Sequence, residues 1–398
     1  MKRFLGLMLV FLFIVTACGN NASQDSNAAN SGSEGDTIKI AFIGNTTGDY
    51  QQYGIPVYNA SKLYFDQLNE KGGINGKKVE YLEYDDKGDG AQAVTLYEKA
   101  KSDGATVVLG SVMTAPTIAL ADATLDDNFP QVTASATAPG VTIVDPDAET
   151  LETRPNVFRS CFTDPYQGEK MAHYAVEKLG AKTAAVFFET GNDYSEGLKD
   201  AFLKTAKELG LEVVANEAYA TGDKDFNAQM TNIASANPDV VFLPIYYSEA
   251  GLAIKTGREK GYTGQFMGGD GFGSVSGYAN AEDLEGTVYC SGYAKGTDSV
   301  KQFEADYEKA YGEPVPNMFA PLAYDAAMLV EHGVKAAEEQ GLKPQSDAYY
   351  QAVIDAIASA KELKGITGTY RFDEQHNPIK EAAIMELKGG EEVFKEMY

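Results

Sequence analysis

Val240-Val-Phe-Leu243 is apolar at every position, with no alternation between a wet and a dry face. Such a strand needs cover on both faces, as in a parallel sheet held between layers of helix. Its flanks agree: a helical pattern runs from Phe226 to Ala236 before it and from Glu249 to Lys260 after it, and Gln265-Phe-Met267 is the next strand. Upstream, helix Tyr166 to Leu179, strand Thr183 to Phe188, helix Tyr194 to Leu209 and strand Glu212-Val-Val214 complete one strand–helix series. An earlier series has the same rhythm. Strand Ile38 to Ile43 is followed by a helix from Gln52 to Lys71, with Val57, Ala60, Tyr64 and Leu68 at helical spacing. Gly72-Gly73 and Gly76 stop that helix. Strand Val79 to Tyr84, helix Ala91 to Ser102, strand Thr106 to Leu109, helix Thr114 to Leu125 and strand Gln131-Val-Thr133 follow. Two such series predict an α/β protein of two doubly wound parallel-sheet lobes.

The C-terminal third departs from this rhythm. Helical patterns cover Ser299 to Tyr311 and Phe319 to Gln340, and Tyr350, Val353, Ile354 and Ile357 mark one face of another helix. Short strands are expected near Thr369 to Phe372 and Ala383 to Leu387. Extra helices and strands after two complete series imply that the chain passes between the lobes more than once. No solenoid-length repeat is visible.

Composition narrows the function. The 398 residues carry a formal net charge of -25, which argues against a nucleic-acid partner, since that needs a basic footprint. The acids are scattered and read mainly as a solvated surface. The three histidines, His173, His332 and His376, are not at ligand spacing, and there is no His-Glu-x-x-His or Cys-x-x-Cys. No metal and no cofactor is therefore expected. A hydrolase is disfavoured by the lack of a Gly-x-Ser-x-Gly elbow and of a histidine beside a candidate nucleophile.

The first residues read as a secretory signal, with Lys2-Arg3 as the charged region and Phe4 to Val15 as a short apolar run. Val15-Thr16-Ala17-Cys18 resembles a bacterial lipobox, in which the thiol is lipidated and becomes the mature N-terminus. A plain secretory signal with a chance cysteine is the alternative. Two acyl chains give stable anchoring where one is marginal. Gly19 to Asp36 contains no Val, Ile, Leu or aromatic residue and reads as a flexible tether. Residues 1–17 are thus expected to be a signal peptide and 18–36 a linker. The body is expected outside the cytoplasm, tied to a membrane it does not cross.

Ligands of open α/β sheets lie beyond the carboxyl ends of strands. Four such places stand out: Gly44 to Gly54, which includes Tyr53; Gly110-Ser-Val112-Met-Thr114; Thr133-Ala-Ser135-Ala-Thr137; and Met267-Gly-Gly-Asp270-Gly. Hydroxyl residues next to a helix N-terminus suit a carboxylate, so Thr114, Ser135 and Thr137 are candidates. Asp270, flanked by glycine, suits a cation. Each taken alone is also compatible with an ordinary cap or turn.

The ordered set of segments resembles the type I periplasmic (solute-)binding proteins, specifically the branched-chain amino-acid-binding group of ABC importers. The carriers are Leu68 to Gly76, Tyr84-Asp-Asp86, Gln92-Ala-Val94, Ser135 to Pro139, Phe158-Arg159 with Asp164 and Gln167-Gly168, Tyr194 to Leu198, Asp225-Phe226 and Gln265 to Gly268. The resemblance spans about Ile38 to Met385. It implies a three-crossing hinge, with residues 37–160 and 291–366 in lobe 1 and residues 161–290 and 367–398 in lobe 2. It implies that Thr114, Ser135 and Thr137 meet an α-carboxylate, and that Asp270 and a backbone carbonyl near Tyr246 meet an α-ammonium. Tyr53, Val112, Tyr194 and Phe319 would supply apolar walls. Thr114 stands where serine is frequent in the family, and Asp270 where glutamate is. The resemblance also implies a monomer that delivers an amino acid to permease subunits, with another small solute (an amide, urea or an aromatic acid) as the alternative ligand. Cys161 and Cys290 fall on the first two implied crossings, where they would either pair or remain two small buried thiols.

Overall fold

The computed structural model describes residues 37–398. The signal segment 1–17, Cys18 and the linker to residue 36 lie outside the described residues. The first series forms β1 (Thr37–Gly44), α1 (Gln51–Glu70), β2 (Lys78–Asp85), α2 (Gly90–Ser102), β3 (Val107–Gly110), α3 (Thr114–Leu125), β4 (Gln131–Thr133) and β5 (Val157–Arg159). These strands make a five-stranded sheet in the order β2-β1-β3-β4-β5, parallel throughout. The second series forms α4 (Asp164–Glu177), β6 (Thr183–Thr190), α5 (Asp193–Leu209), β7 (Glu212–Ala220), α6 (Asn227–Ala236), β8 (Val240–Leu243), α7 (Tyr247–Glu259), β9 (Gln265–Gly268), α8 (Ala281–Leu284) and β10 (Val288–Ser291). After them come α9 (Lys301–Tyr311), α10 (Phe319–Glu339), α11 (Asp347–Ala358), β11 (Leu363–Lys364), β12 (Thr369–Tyr370), β13 (Ala383–Lys388) and β14 (Glu391–Met397).

The second sheet runs β14-β13-β10-β9-β8-β6-β7. It is parallel from β10 to β7, and β13 and β14 extend it antiparallel at one edge. Val240, Val241, Phe242 and Leu243 are all buried, as their uniform apolarity requires. Local signals fix the helix ends. Asp89 caps α2 by accepting from the Gln92 N–H at 2.8 Å, Asn192 caps α5, and Gly210 ends α5 with φ of 72°, where a side chain would be strained.

The chain passes between the sheets three times: after β5, after β10 and between α11 and β13. The helix α10 packs against α1 of the first lobe. A buried polar cluster ties the first and third crossings. Asp325 on α10 accepts from the Ile366 and Thr367 N–H groups at 2.7 and 2.9 Å. Lys380 donates to Thr367 Oγ1 at 2.7 Å and Tyr370 OH at 3.2 Å, and Tyr370 OH donates to the Ser160 carbonyl at 3.3 Å.

The pairing of Cys161 with Cys290 is not formed; both are buried free thiols. Cys161 turns its Sγ to the Ala136 carbonyl at 3.4 Å, while Cys290 sits inside β10 opposite Ile384 of β13. Burial pushes the Cys161 thiol up to about 12, so it is inert as a nucleophile.

The helices α4 and α5 touch backbone to backbone at Gly168, where a Cβ would stand 2.4 Å from the Leu198 carbonyl oxygen and 2.9 Å from the Phe202 nitrogen. This contact sets the distance between Asp164 and Tyr194, the residues at or beside the N-termini of the two helices. Gly168→Ala is expected to lower stability by about 1–3 kcal/mol in urea unfolding, because neither backbone can yield without moving a helix. An unchanged midpoint would contradict that packing.

Candidate ligand cleft between the lobes

The carboxyl ends of β3 and β4 face those of β8 and β9 across the lobes. On the first side, Thr133 Oγ1 donates to the Ser111 carbonyl at 2.8 Å and Ser135 Oγ to the Val112 carbonyl at 2.7 Å. These two bonds hold the loop that leads into α3. Met113, at the cap of α3, gives that helix no side-chain cap. The Thr114 hydroxyl and the first N–H groups of α3 therefore remain as donors for an anion. The Ser135 hydroxyl is already engaged, so its part is chiefly to shape the loop.

On the second side, the Asp270 N–H donates to Gln167 Oε1 at 2.8 Å and the Gly271 N–H to Tyr194 OH at 2.8 Å. Tyr194 begins α5 and stacks on Tyr246 with ring centroids 4.8 Å apart. From the first lobe, Tyr53 on α1 donates to the Gly271 carbonyl at 2.6 Å and accepts from the Tyr247 N–H at 3.3 Å. Its ring meets Phe319 edge-on at 4.9 Å. Asn317 adds a second bridge, donating to the Gln52 carbonyl at 2.7 Å and to Ser274 Oγ at 3.0 Å. The two lobes are thus in direct contact, and Tyr53 is bonded across them.

These residues leave between them a small cavity of about 20 Å³, lined by Tyr53, Val112, Met113, Thr114, Ser135, Tyr194, Tyr246, Asp270, Gly271 and Phe319. Eight of the nine residues singled out from the sequence lie in that wall. Thr137 does not. It is buried behind Ser135, and its Oγ1 has no hydrogen-bond partner. Tyr246 presents its ring, because its carbonyl accepts from the Ala250 N–H at 2.8 Å as the first bond of α7. Sequence reasoning did not give site roles to Met113, Gln167 or Asp164. Asp164 follows the Thr163 cap at the start of α4, and that cap before Pro165 is the one local signal of it.

The wall is neutral or acidic. Asp270 is 1% exposed and its Oδ1 has no hydrogen-bond partner. Burial raises its carboxyl to about 7, against the opposing pull of donors from Gln167, Tyr194 and Gly271. Arg159 is buried nearby, but it donates to the Ala136 and Ala138 carbonyls at 3.0 and 2.9 Å and to Thr142 Oγ1 at 3.0 Å. Of the histidines, His173 pairs with Glu177 within α4, and His376 stacks on Phe158. Among the described residues no group of three or more His, Cys, Asp or Glu is placed to hold a metal ion.

The chain belongs to the periplasmic binding protein family, whose model matches residues 37–391. It is 31% identical over 341 residues to the leucine-, isoleucine-, valine-, threonine- and alanine-binding protein of Pseudomonas aeruginosa, covering 85% of this chain and 87% of that one. The substrate-binding protein LivJ of Streptococcus pneumoniae, solved with isoleucine, is 29% identical with a TM-score of 0.82, covering 91% and 99% of the two chains. The leucine-binding protein LivK of Thermotoga maritima is 29% identical with a TM-score of 0.80, covering 90% and 98%. The class is therefore a type I solute-binding protein of the branched-chain amino-acid group, with a parallel-sheet lobe on each side of one cleft.

A buried acid with a raised pKa stabilises the fold while it is protonated. That contribution is fully present below its unfolded value near 4 and is lost as pH rises toward 7. Asp270→Asn, which keeps the size and removes the charge, is expected to raise the melting temperature of ligand-free protein at pH 7.5, by up to a few kcal/mol of stability. Little gain is expected at pH 4.5. An equal gain at both pH values in thermal unfolding would contradict the assignment.

Proposed function

We propose that the protein captures an L-α-amino acid with an aliphatic side chain, of the leucine, isoleucine or valine kind, and delivers it to the permease of an ABC importer. The observation that carries this is the pairing of wall chemistries in one small cavity. A helix N-terminus without a side-chain cap stands on one lobe and a carboxylate without a full set of partners on the other. A zwitterion satisfies both ends at once, and a buried charge left unmatched is costly. The carboxylate goes to Thr114 and the α3 N–H groups, with Ser135 and Thr137 shaping that end, and the ammonium goes to Asp270. Tyr53, Val112, Tyr194, Tyr246 and Phe319 surround the side chain. The names of the relatives favour the same ligand class.

Each end of the ligand touches a different lobe, so binding favours the closed arrangement through contacts the open one lacks. The reading includes lobe limits near residues 160, 290 and 366 at the three crossings. It also includes an extracytoplasmic location with an anchor at lipidated Cys18. Among the described residues no helix is long and apolar enough to cross a membrane.

The test is a thermal-shift panel of the twenty amino acids, urea, choline and simple amides on protein unfolded and refolded to strip carried-over ligand. A ligand at about 100 times its Kd adds roughly 2.7 kcal/mol of stability. Shifts confined to Leu, Ile, Val and close relatives are expected, and a shift only with a non-zwitterion would overturn the reading. Asp270→Ala is expected to weaken leucine binding by about 10- to 100-fold, the range for losing a charged hydrogen bond.

A further inference from the structure

Beside Asp270 stands a second carboxyl group that the amino-acid reading does not use. Asp164 is fully buried and neither carboxyl oxygen closes a hydrogen bond of ordinary geometry; the Thr137 hydroxyl is the donor beside it and favours its charged form. Its backbone N–H donates to the Thr137 carbonyl at 3.0 Å, which places it where the first lobe meets the second. A Cβ on Gly197 of α5 would lie 3.4 Å from its Oδ2, so α5 closes one side and leaves no room for a bulky partner. Thr137, Arg159 and Asp270 act on Asp164, and Thr137 Oγ1, Arg159 Nε and Asp270 Oδ1 are themselves without a hydrogen-bond partner. Gln167 links the two acids, standing one turn after Asp164 on α4 and accepting from the Asp270 N–H.

We propose that Asp164 and Asp270 form one two-carboxyl seat that holds protons while the cleft is empty, and that the arriving ammonium of the ligand displaces the proton on Asp270 into solvent. The second half rests on the amino-acid reading above; the first half does not. Asp164 remains the neutral partner. It does not touch the ligand, and it acts by making a negative charge on Asp270 unfavourable until a cation is present.

The charged and titratable groups in range support this. Beyond burial, the Thr137 hydroxyl and Arg159 favour the charged form of Asp164, while Asp270 and Asp193 disfavour it. Tyr194, Tyr246 and Cys161 also face it, all held neutral by burial. Asp270 additionally faces Tyr53 and Cys290, likewise neutral. Arg159, the cation that acts on Asp164, is bonded to three other oxygens. Burial therefore dominates and holds Asp164 well above the usual carboxylate range. Two acids sharing a dry site do not both ionise without a counter-charge, and their pKa values move apart. One ammonium supplies one counter-charge, so one of the two acids ionises on binding.

The experiment starts without ligand. Protein carrying carbon-13 at its aspartate carboxyl groups is titrated by NMR from pH 4 to 9. At least one carboxyl is expected to stay protonated above pH 7, and that signal is expected to vanish in Asp164→Asn. Ionisation of every aspartate by pH 6 would overturn the proposal. If Asp164→Asn does not fold, Asp270→Asn serves: it should remove one titration and lower the other. Calorimetry with L-leucine at pH 6.5 in two buffers of different ionisation enthalpy then counts protons. Between half a proton and one proton released per site is expected, less than half as much in Asp164→Asn, and none near pH 9. Leucine binding with no proton release in the wild type would overturn the exchange. A failure of leucine to bind would contradict the ligand assignment instead, and the ligand-free titration alone would then decide whether the pair holds protons.

Discussion

The cost of leaving a carboxylate unpaired in a dry cleft governs this molecule. Asp270 is reached only when β9 and its following turn pack against Tyr194 and Gln167 in the second lobe and Tyr53 comes across from the first. In this arrangement the acid is 1% exposed and its Oδ1 has no hydrogen-bond partner. On the proposed reading, an ionised Asp270 opposes closure without a ligand, and an ammonium beside it favours closure. On that reading a population shift between open and closed forms follows from the difference in contacts. The opposite wall obeys the same logic with reversed sign, because α3 offers unfilled N–H groups to an anion.

The scaffold places the two walls of the cleft on separate sheets, and the sheets are joined only by three crossings. Asp325, Lys380, Thr367, Tyr370 and the Ser160 carbonyl hold two of those crossings together as one bonded unit. Burial draws Lys380 down to about 8, yet Asp325 beside it favours the charged form, so the cluster keeps its polar bonds in place of an apolar seam. The Tyr53–Gly271 and Asn317–Ser274 bonds join the lobes where they meet.

Much of this was legible in the sequence for physical reasons. Uniformly apolar strands such as Val240 to Leu243 are a direct consequence of cover on both faces. Cleft residues sit where glycine and hydroxyl residues interrupt those strands, so Tyr53, Thr114, Ser135 and Asp270 could be named from the chain itself. Other features depend on tertiary context. The strands β5 and β10 have three and four residues, too few to carry a period. The strand β14, Glu391-Glu-Val-Phe-Lys-Glu-Met397, is half charged and exists because β13 pairs with it. Thr137 and Ser135 are two residues apart, yet only Ser135 reaches the cavity, since the intervening loop follows bonds to Val112 and Ser111 that no local pattern encodes. Asp164 carried the family resemblance without a site role; its isolation arises from the close approach of α5 at Gly168 and Gly197.

A crystal structure of the protein with L-leucine probes the charge pairing at both walls in one step. The ammonium is expected within hydrogen-bond distance of Asp270 and the carboxylate at the Thr114 end of α3, with Tyr53 still bonded to Gly271 over a closed cleft. Leucine bound the other way round, or seated outside the cavity with Asp270 left unpartnered, would refute that pairing.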